Sequence, residues 1–205
     1  MIEKLSFGEP FIETAYLERE EAYHVDEPCL LVNLERQGGK SIQAGAGLGI
    51  APLCCAVVRN TDVSVPGHAL MIRNFDTLSL DDLETLDCLR TVWKSARKGY
   101  PYYKSPKIAP CAGVQINFCL VSEPNYPSGI HCTHDRELDE LHIQVCGTGA
   151  VDVLRENDPE TVIASFPLAA GSTHAPVWDA DGIYPWHRYR SVTRSIFLGM
   201  ELDRN

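Results

Sequence analysis

Strict alternation of apolar and polar side chains in residues 113–121 and 140–146 constrains the fold of this chain more than any other feature. A period of two residues is the pattern of a β-strand, whose successive side chains point to opposite faces of a sheet. The apolar faces consist of Val114, Ile116, Phe118, Leu120, Leu141, Ile143 and Val145. The polar faces consist of Gln115, Asn117, Cys119, Glu140, His142, Gln144 and Cys146. Both segments are therefore predicted to be strands with one apolar and one polar face.

The polar face of residues 140–146 has an unusual composition for a protein surface. Most half-buried strands turn their polar face to solvent, but this one carries neither Lys nor Arg. Its Glu, His, Gln and Cys side chains are more typical of a polar cavity. The apolar face would then pack under the N-terminal region, a helix or a second subunit.

Short strand candidates recur along the rest of the chain. They are Cys29–Leu34, Leu53–Arg59, Ala150–Leu154, Thr161–Phe166 and Ser195–Leu202. Residues 1–78 are predicted to form short extended pieces broken by turns, with loops at residues 37–39 and 44–49. Several short strands at this spacing are typical of a β-sandwich or a β-barrel.

One helix is predicted from Ser79 to Lys98. Ser79 can cap it, acidic residues lie in its first turn and basic residues near its end, an order that suits the helix dipole. Its apolar stripe consists of Leu83, Leu86, Leu89 and Trp93, and Gly99 follows its end. We expect this helix to pack on a sheet; an exposed helix that binds a partner is the alternative.

Composition and charge exclude several classes of protein. The formal net charge is −10 at pH 7 and the basic residues are mostly scattered, which argues against a nucleic-acid-binding surface. No apolar run of about 18 residues is present, so no membrane span is expected. The acidic first residues do not resemble a signal peptide. The eight cysteines form no CxxC pair, which favours reduced, buried thiols and a cytoplasmic location.

Histidine and carboxylate residues cluster in two segments. The first, residues 129–147, includes His134 and Glu140, and the second, residues 166–176, includes His174. Neutral imidazole and carboxylate ligands suit Fe(II), Mn(II), Ni(II) or Zn(II), and two His with one carboxylate leave metal positions open for substrate and for oxygen or water. A strand–turn–strand unit can deliver the first two side chains, and a later strand can deliver the third.

These segments resemble the two motifs of the cupin superfamily. Glu140, followed after six residues by Gly147, is similar to the end of the first motif, and His174 is similar to the end of the second. The common first motif has HxH before the glutamate, whereas Cys132 stands where its first His would be. The spacing of His134, Glu140 and His174 looks more like that of the dioxygenases that act on homogentisate or 3-hydroxyanthranilate. The string DELHIQVCGTG is also similar to theirs.

The resemblance implies a mostly β fold. Residues 111–205 would form a cupin-type β-barrel (a double-stranded β-helix), and residues 1–110 an N-terminal extension of strands and one helix, or a degenerate second barrel. One divalent metal ion would be held by His134, Glu140 and His174, with Fe(II) favoured over Zn(II), Mn(II) and Ni(II). The implied activity is that of a non-heme Fe(II) dioxygenase or oxygenase, which uses O2 on a small polar carboxylate or phenolic substrate, in a homodimer.

The faces of the predicted strands also indicate which residues beside the expected ligands could contact the substrate. Gln115, Asn117, Gln144 and Arg188 are expected to bind and orient the substrate, the Arg through its two-pronged match to a carboxylate. His142 is expected to face the same cavity as the glutamate. There it can contact substrate, act as acid or base, or serve as an alternative ligand.

Three neighbouring features stay open at the sequence level. His131 lies three residues from His134 and faces away from it on a regular strand, unless a bulge re-aims it into the ligand set. Cys132 can be a thiolate ligand, but an inert buried cysteine is favoured. The aromatic segment 178–190 either lines the mouth of the barrel or packs on its surface.

Other functions also remain open. A non-redox lyase or isomerase would use Zn(II), Mn(II) or Ni(II) as a Lewis acid, with His142 as acid or base. A cupin that binds a small ligand without turnover is a further alternative, because this fold hosts enzymes and binders alike. A purely structural barrel would require the His and Glu side chains to be unrelated in space.

Overall fold

The computed structural model describes residues 1–133, 137–178 and 182–204. These residues form sixteen strands and one helix. The strands are β1 Ile2–Leu5, β2 Glu13–Val25, β3 Cys29–Asn33, β4 Ile42–Ala44, β5 Leu48–Ile50, β6 Cys55–Val58, β7 Thr61–Arg73, β8 Lys94–Ser95, β9 Tyr102–Lys104, β10 Ile108–Cys111, β11 Val114–Val121, β12 Leu138–Cys146, β13 Thr148–Leu154, β14 Val162–Ala169, β15 Trp186–Ser191 and β16 Ser195–Asp203. The helix, α1, spans Leu83–Val92.

The N-terminal region is one seven-stranded sheet. Its strand order is β1-β2-β7-β3-β6, with the β4–β5 hairpin attached to β7. The prediction of short pieces was wrong for β2 and β7, which are 13 residues each and pair antiparallel over most of their length. Bulges at residues 18–20 and 20–23 interrupt the alternation that would have marked the long strand in the sequence.

Two further sheets face each other and form the walls of a barrel. One has the order β12-β16-β11-β9-β8, with β10 paired to β11, and the other has the order β14-β13-β15. Their inner faces meet in an apolar cluster of Cys119, Val121, Val151, Leu168, Tyr189 and Phe197. An isolated bridge between Ile143 and Thr173 joins β12 to the segment after β14 and closes one side.

The outer face of the barrel packs on the N-terminal sheet and on α1. The core between them contains the alternating apolar residues of β11 and β12, such as Phe118 and Ile143, together with Leu30 and Leu86. Phe118 contacts Phe7 edge-on at 4.7 Å between ring centroids. The expected packing of the apolar faces under the N-terminal region and the helix is confirmed, and so is the expected mostly β fold with a barrel and an N-terminal extension.

The helix is shorter than predicted. It begins after Asp82, whose carboxylate accepts hydrogen bonds from the backbone N–H groups of Glu84 and Thr85, and it ends at Val92. Ser79 is therefore not the cap, because a capping side chain must lie directly before the first turn. The end differs because Lys94 and Ser95 pair with β9 as strand β8.

Strands β8 and β9, which precede residue 111, and β10, which ends at it, belong to the barrel sheet. The division of the chain at residues 110 and 111 stays a prediction. All eight cysteines are free thiols; Cys29 and Cys119 are buried as expected, whereas Cys54 is exposed and the other five are partly exposed. Among the described residues, no helix is long and apolar enough to cross a membrane.

Candidate metal centre

Among the described residues, three potential metal ligands meet at the barrel wall: Glu140 on β12, His187 on β15 and His131 in the segment before β12. His131 and His187 form an isolated antiparallel bridge, in which each backbone N–H donates to the carbonyl of the other at 3.1 and 2.9 Å. Directly paired residues of antiparallel strands place their side chains on the same face. The two imidazole rings accordingly lie 4.1 Å apart between centroids, and both face the Glu140 carboxylate.

The spacing of these donor atoms fits a single metal ion. Glu140 Oε2 lies 3.0 Å from His187 Nε2 and 3.6 Å from His131 Nε2. Ligand atoms bound at about 2.1 Å lie about 3.0 Å apart at a right angle and about 3.4 Å apart at the tetrahedral angle. One donor atom from each residue lies within 4.8 Å of the others. Two imidazoles and one carboxylate suit Fe, Zn, Mn or Ni, so the residues fit a divalent transition metal.

Hydrogen bonds on the far side of each imidazole orient the two histidines. His187 Nδ1 lies 3.0 Å from the carbonyl oxygen of Pro185, and His131 Nδ1 lies 3.2 Å from that of Gly129. A carbonyl oxygen only accepts, so both Nδ1 atoms carry the proton. Each Nε2 faces the Glu140 carboxylate, and its lone pair can bind a metal ion only after the Nε2 proton is lost. Histidine ligands of metals are commonly fixed in this way.

The carboxylate is held in its charged form. Burial would raise the pKa of Glu140, but the hydrogen bonds with His131 and His187 hold the pKa well below its usual range. Burial opposes charging of His131 as well, but Glu140 raises the pKa of this imidazole overall. A carboxylate that remains ionised in a protein interior is one of the requirements of a metal ligand.

A second histidine pair lies beside this group. His174 Nδ1 donates to the carbonyl of Ala175 at 2.8 Å, so its Nε2 is an acceptor. This Nε2 lies 3.1 Å from both the backbone N and the Nδ1 of His142. The structure thus assigns the Nδ1–H tautomer to His142, which leaves its Nε2 as the basic atom. Burial lowers the pKa of His142 to about 3 and also lowers that of His174, so both rings are neutral near pH 7.

The structure brings part of the predicted ligand set together. Glu140 lies at the centre of the His131–Glu140–His187 group, whereas His174 lies outside that group and contacts His142. His134 falls outside the described residues. The triad of His134, Glu140 and His174 therefore stays a prediction. His131, the alternative ligand left open by the sequence, is re-aimed by its bridge to β15.

A cavity of about 290 Å³ opens beside the metal centre. The described residues that line it with polar groups are Tyr102, Lys104, Asn117, Ser128, His131, Glu140, His142 and Glu201, and Cys119, Tyr189 and Phe197 also contribute. Two residues given a role from the sequence, His142 and Asn117, lie in this wall. Their positions agree with the expected polar inner face of β11 and β12.

The other residues expected to bind substrate lie elsewhere among the described parts of the chain. Gln144 is fully buried, where its amide donates to the carbonyl of Cys146 and accepts from the Tyr189 hydroxyl. Arg188 pairs with the buried carboxylate of Asp152 at 3.1 Å. Gln115 lies opposite Glu201 in the strand register but does not line the cavity. Their substrate role stays a prediction without support from the cavity wall.

Aromatic side chains of the segment before β15 cover one side of the centre. The Tyr184 ring meets the His187 ring edge-on at 4.7 Å, and Trp178 packs against Tyr184 at 4.8 Å. Trp178 also donates its indole N–H to Asp139, and the Arg204 guanidinium lies 3.3 Å from the Trp178 ring centroid. Within residues 178 and 182–190, the segment therefore packs on the barrel and shields His187.

Sequence reasoning missed His187 as a metal-ligand candidate. The strand Trp186–Ser191 has the burial pattern of strict alternation, with His187, Tyr189 and Ser191 buried. That alternation was visible in the sequence, but the arginines between these residues made the segment resemble a surface loop. The pairing with His131 joins residues 56 positions apart, and no local pattern reveals it.

Comparisons with known proteins give a likeness of fold only. No family model matches the chain, and no curated protein matches it. Among solved structures, an RmlC-like cupin protein from Desulfovibrio desulfuricans is similar, with 16% identity, a TM-score of 0.36, and coverage of 53% of this chain and 94% of the other.

Two further structures give similar values. KdgF from Halomonas sp. shows 13% identity and a TM-score of 0.39, over 55% of this chain and 86% of the other. A cupin 2 conserved barrel domain protein from Salinispora arenicola shows 16% identity and a TM-score of 0.36, over 53% and 82%. At these values neither an activity nor a metal follows for this chain. The case for a metal centre rests on His131, Glu140 and His187 themselves.

Proposed function

We propose that this protein is a metal-dependent enzyme, a non-heme Fe(II) oxygenase that acts on a small polar carboxylate or phenolic substrate. One observation carries the proposal: two imidazoles and one ionised carboxylate converge at the wall of a polar cavity, with donor atoms within 4.8 Å of one another. Glu140, His131 and His187 are the residues that would hold the ion.

The donor set favours a catalytic site over a structural one. Structural zinc sites are closed by four protein ligands, whereas the three ligands found among the described residues would leave positions open. Two His and one carboxylate are the set that non-heme Fe(II) oxygenases use. When bound, iron supplies the one-electron chemistry that lets O2 react with an organic substrate.

The protein's own residues would bind and orient the substrate. Asn117 is buried in the cavity wall, with its amide N–H groups donating to the carbonyl of Phe118 and to Cys119 Sγ. This fixes its carboxamide for contact with a polar substrate group, and positioning of this kind supplies much of the rate of an enzyme. Phe197 and Tyr189 supply the apolar part of the wall.

A non-redox reaction is the second candidate, because His142 presents a neutral imidazole in the cavity. Its Nδ1 lies 3.1 Å from His174 Nε2, so its own Nε2 is the atom left to accept a hydrogen bond from substrate. With Zn(II), Mn(II) or Ni(II) as the bound ion, this arrangement suits a lyase or isomerase.

Oxygen uptake distinguishes these functions. Protein loaded anaerobically with Fe(II) is mixed with a panel of small carboxylates and phenols, and O2 consumption and product formation are followed together. We expect O2 to be consumed in proportion to product with Fe(II), and not with Zn(II). The Asn117→Ala variant should have a raised KM and an unchanged metal content.

Turnover without O2 consumption, supported by Zn(II), Mn(II) or Ni(II), would replace the oxygenase by the non-redox enzyme. Binding of a small ligand with no turnover under any metal would remove the enzymatic proposal. A homodimer and a cytoplasmic location stay predictions.

A further inference from the structure

One cation at the cavity wall has no acidic partner among the residues that the structure describes. Lys104, at the end of β9, is the only Lys or Arg among the described lining residues. Two other cations near the barrel are already paired: Arg188 with Asp152 at 3.1 Å, and Lys107 with Glu201 at 2.7 Å. The Lys104 ammonium lies over the Tyr102 ring, 5.5 Å from its centroid.

The strand register explains why this lysine faces the cavity. Lys104 lies opposite Cys119 of β11, which in turn lies opposite Phe197 of β16. Directly opposite residues share a face of the sheet, and Cys119 and Phe197 both line the cavity. Tyr102, two residues before Lys104, is on the same face and bonds through its hydroxyl to Cys119 Sγ at 3.3 Å.

Lys104 lines the same cavity as the proposed metal ligands His131 and Glu140. A divalent ion bound to a single carboxylate leaves a net positive charge, and the ammonium adds a second one in the same cavity. The cavity therefore attracts an anion even though the chain as a whole carries a net charge of −10.

We propose that Lys104 binds the carboxylate of an anionic substrate and sets the specificity of the cavity. This rests on the metal-dependent function proposed above and assigns the role expected of Arg188 to a different residue. Lys104 is exposed, lines the cavity and holds its ammonium 5.5 Å from the centroid of the Tyr102 ring. The substrate would enter with its carboxylate toward Lys104 and its remaining part toward Asn117 and His142.

Isothermal titration of metal-loaded protein with benzoate and with benzamide tests this proposal. The two probes have nearly the same shape but differ in charge. We expect wild type to prefer benzoate, and Lys104→Met to bind benzoate about fivefold more weakly, because a partly exposed charge pair is of this strength. Lys104→Arg should restore the affinity, and benzamide binding should be unchanged in both variants.

Two controls make the outcome specific. Lys98→Met removes the same charge from a residue outside the cavity lining, and it should leave benzoate affinity unchanged. Metal content, measured on every variant, should equal that of wild type. Full metal with equal benzoate affinity in wild type and Lys104→Met would overturn the role of Lys104. Absence of metal from wild type would instead overturn the proposed function.

Discussion

Gly147 occupies the position that resembles the end of the first cupin motif, and the structure requires a glycine there. It connects β12 to β13 with a φ of +72°, and a Cβ at this position would lie 2.1 Å from the carbonyl oxygen of Arg194. The obstacle is backbone, which cannot rotate away as a side chain can. The sequence indicated this glycine only through its spacing from Glu140, and the structure supplies the steric reason.

We expect Gly147→Ala to lower the free energy of unfolding by about 3 kcal/mol or more, since both strained backbone and a direct overlap result. Gly38→Ala is the matched control, because Gly38 also has a positive φ, of +87°, but has no atom near a Cβ. It should cost about 1 kcal/mol. Urea unfolding followed by circular dichroism measures the free energy of unfolding of both variants. Equal losses in Gly147→Ala and Gly38→Ala would show that the backbone moves to remove the overlap at residue 147.

Asp152 is the carboxylate with which Arg188 forms its ion pair. Its side chain is buried and accepts hydrogen bonds from Ser165 at 2.8 Å, Arg188 at 3.1 Å and Arg190 at 3.2 Å. Burial opposes ionisation, but these three partners lower the pKa of the carboxyl. No sequence pattern connects Asp152 to the two arginines, because the contact depends on the pairing of β13 with β15.

Asp152→Asn should lower the free energy of unfolding at pH 7 by about 2 kcal/mol, because the variant leaves two partly buried guanidinium groups without their anion. The carboxyl is more acidic in the folded than in the unfolded chain, so its contribution is present above about pH 4 and is lost as the pH falls below that value. Urea unfolding at pH 7 and pH 3 should therefore show a difference between wild type and variant that shrinks at pH 3. A difference of the same size at both pH values would show that the loss does not come from the ionised Asp152 carboxylate. Asp76→Asn, at an exposed position, is the control.

At the scale of elements, strands with unbroken alternation were predictable and the bulged or short ones were not. The segment 113–121 became β11 at Val114–Val121, and the segment 140–146 became part of β12 at Leu138–Cys146. Strands β8 and β9 are two and three residues long, which is too short for any period to be visible. Lys104, at the end of β9, was missed for that reason.

Helix α1 offers a direct check on where a helix begins. Asp82 accepts from two backbone N–H groups of the first turn, whereas Ser79 lies three residues earlier. Asp82→Ala should therefore cost about 1 kcal/mol of stability and Ser79→Ala less than about 0.5 kcal/mol. Thermal unfolding monitored at 222 nm compares the two variants. A larger loss in Ser79→Ala would place the start of the helix at the position first predicted from the sequence.

For the whole molecule, the barrel and the N-terminal region share one core. The Trp93 ring stacks on Phe118 of the barrel at 6.0 Å, and its indole N–H donates to the carbonyl of Phe7 at 2.9 Å. The alternation of β11 and β12 predicted that an apolar outer face must be covered. It did not predict that a seven-stranded sheet covers it, because that sheet is built from long-range pairings such as β2 with β7.

This shared core predicts a single unfolding transition. Separation of the two regions would expose the apolar faces of β11 and β12, which are fully buried at Ile116, Phe118, Leu141 and Ile143. Exposure of this much apolar surface is strongly unfavourable. Differential scanning calorimetry should give one peak, with equal calorimetric and van't Hoff enthalpies. Two resolved peaks would show that the regions fold independently.

The most direct test of the metal centre is metal content after anaerobic loading with Fe(II) and removal of free ion, measured by inductively coupled plasma mass spectrometry. We expect about one iron per chain in wild type. Most of it should be lost in His131→Ala, Glu140→Ala and His187→Ala. The control His24→Ala should retain its iron, because this side chain is exposed on β2. His134→Ala and His174→Ala, measured beside them, test the ligand set implied by the cupin resemblance. Retention of iron in both His131→Ala and His187→Ala, or a wild type that binds no metal, would contradict the centre described here.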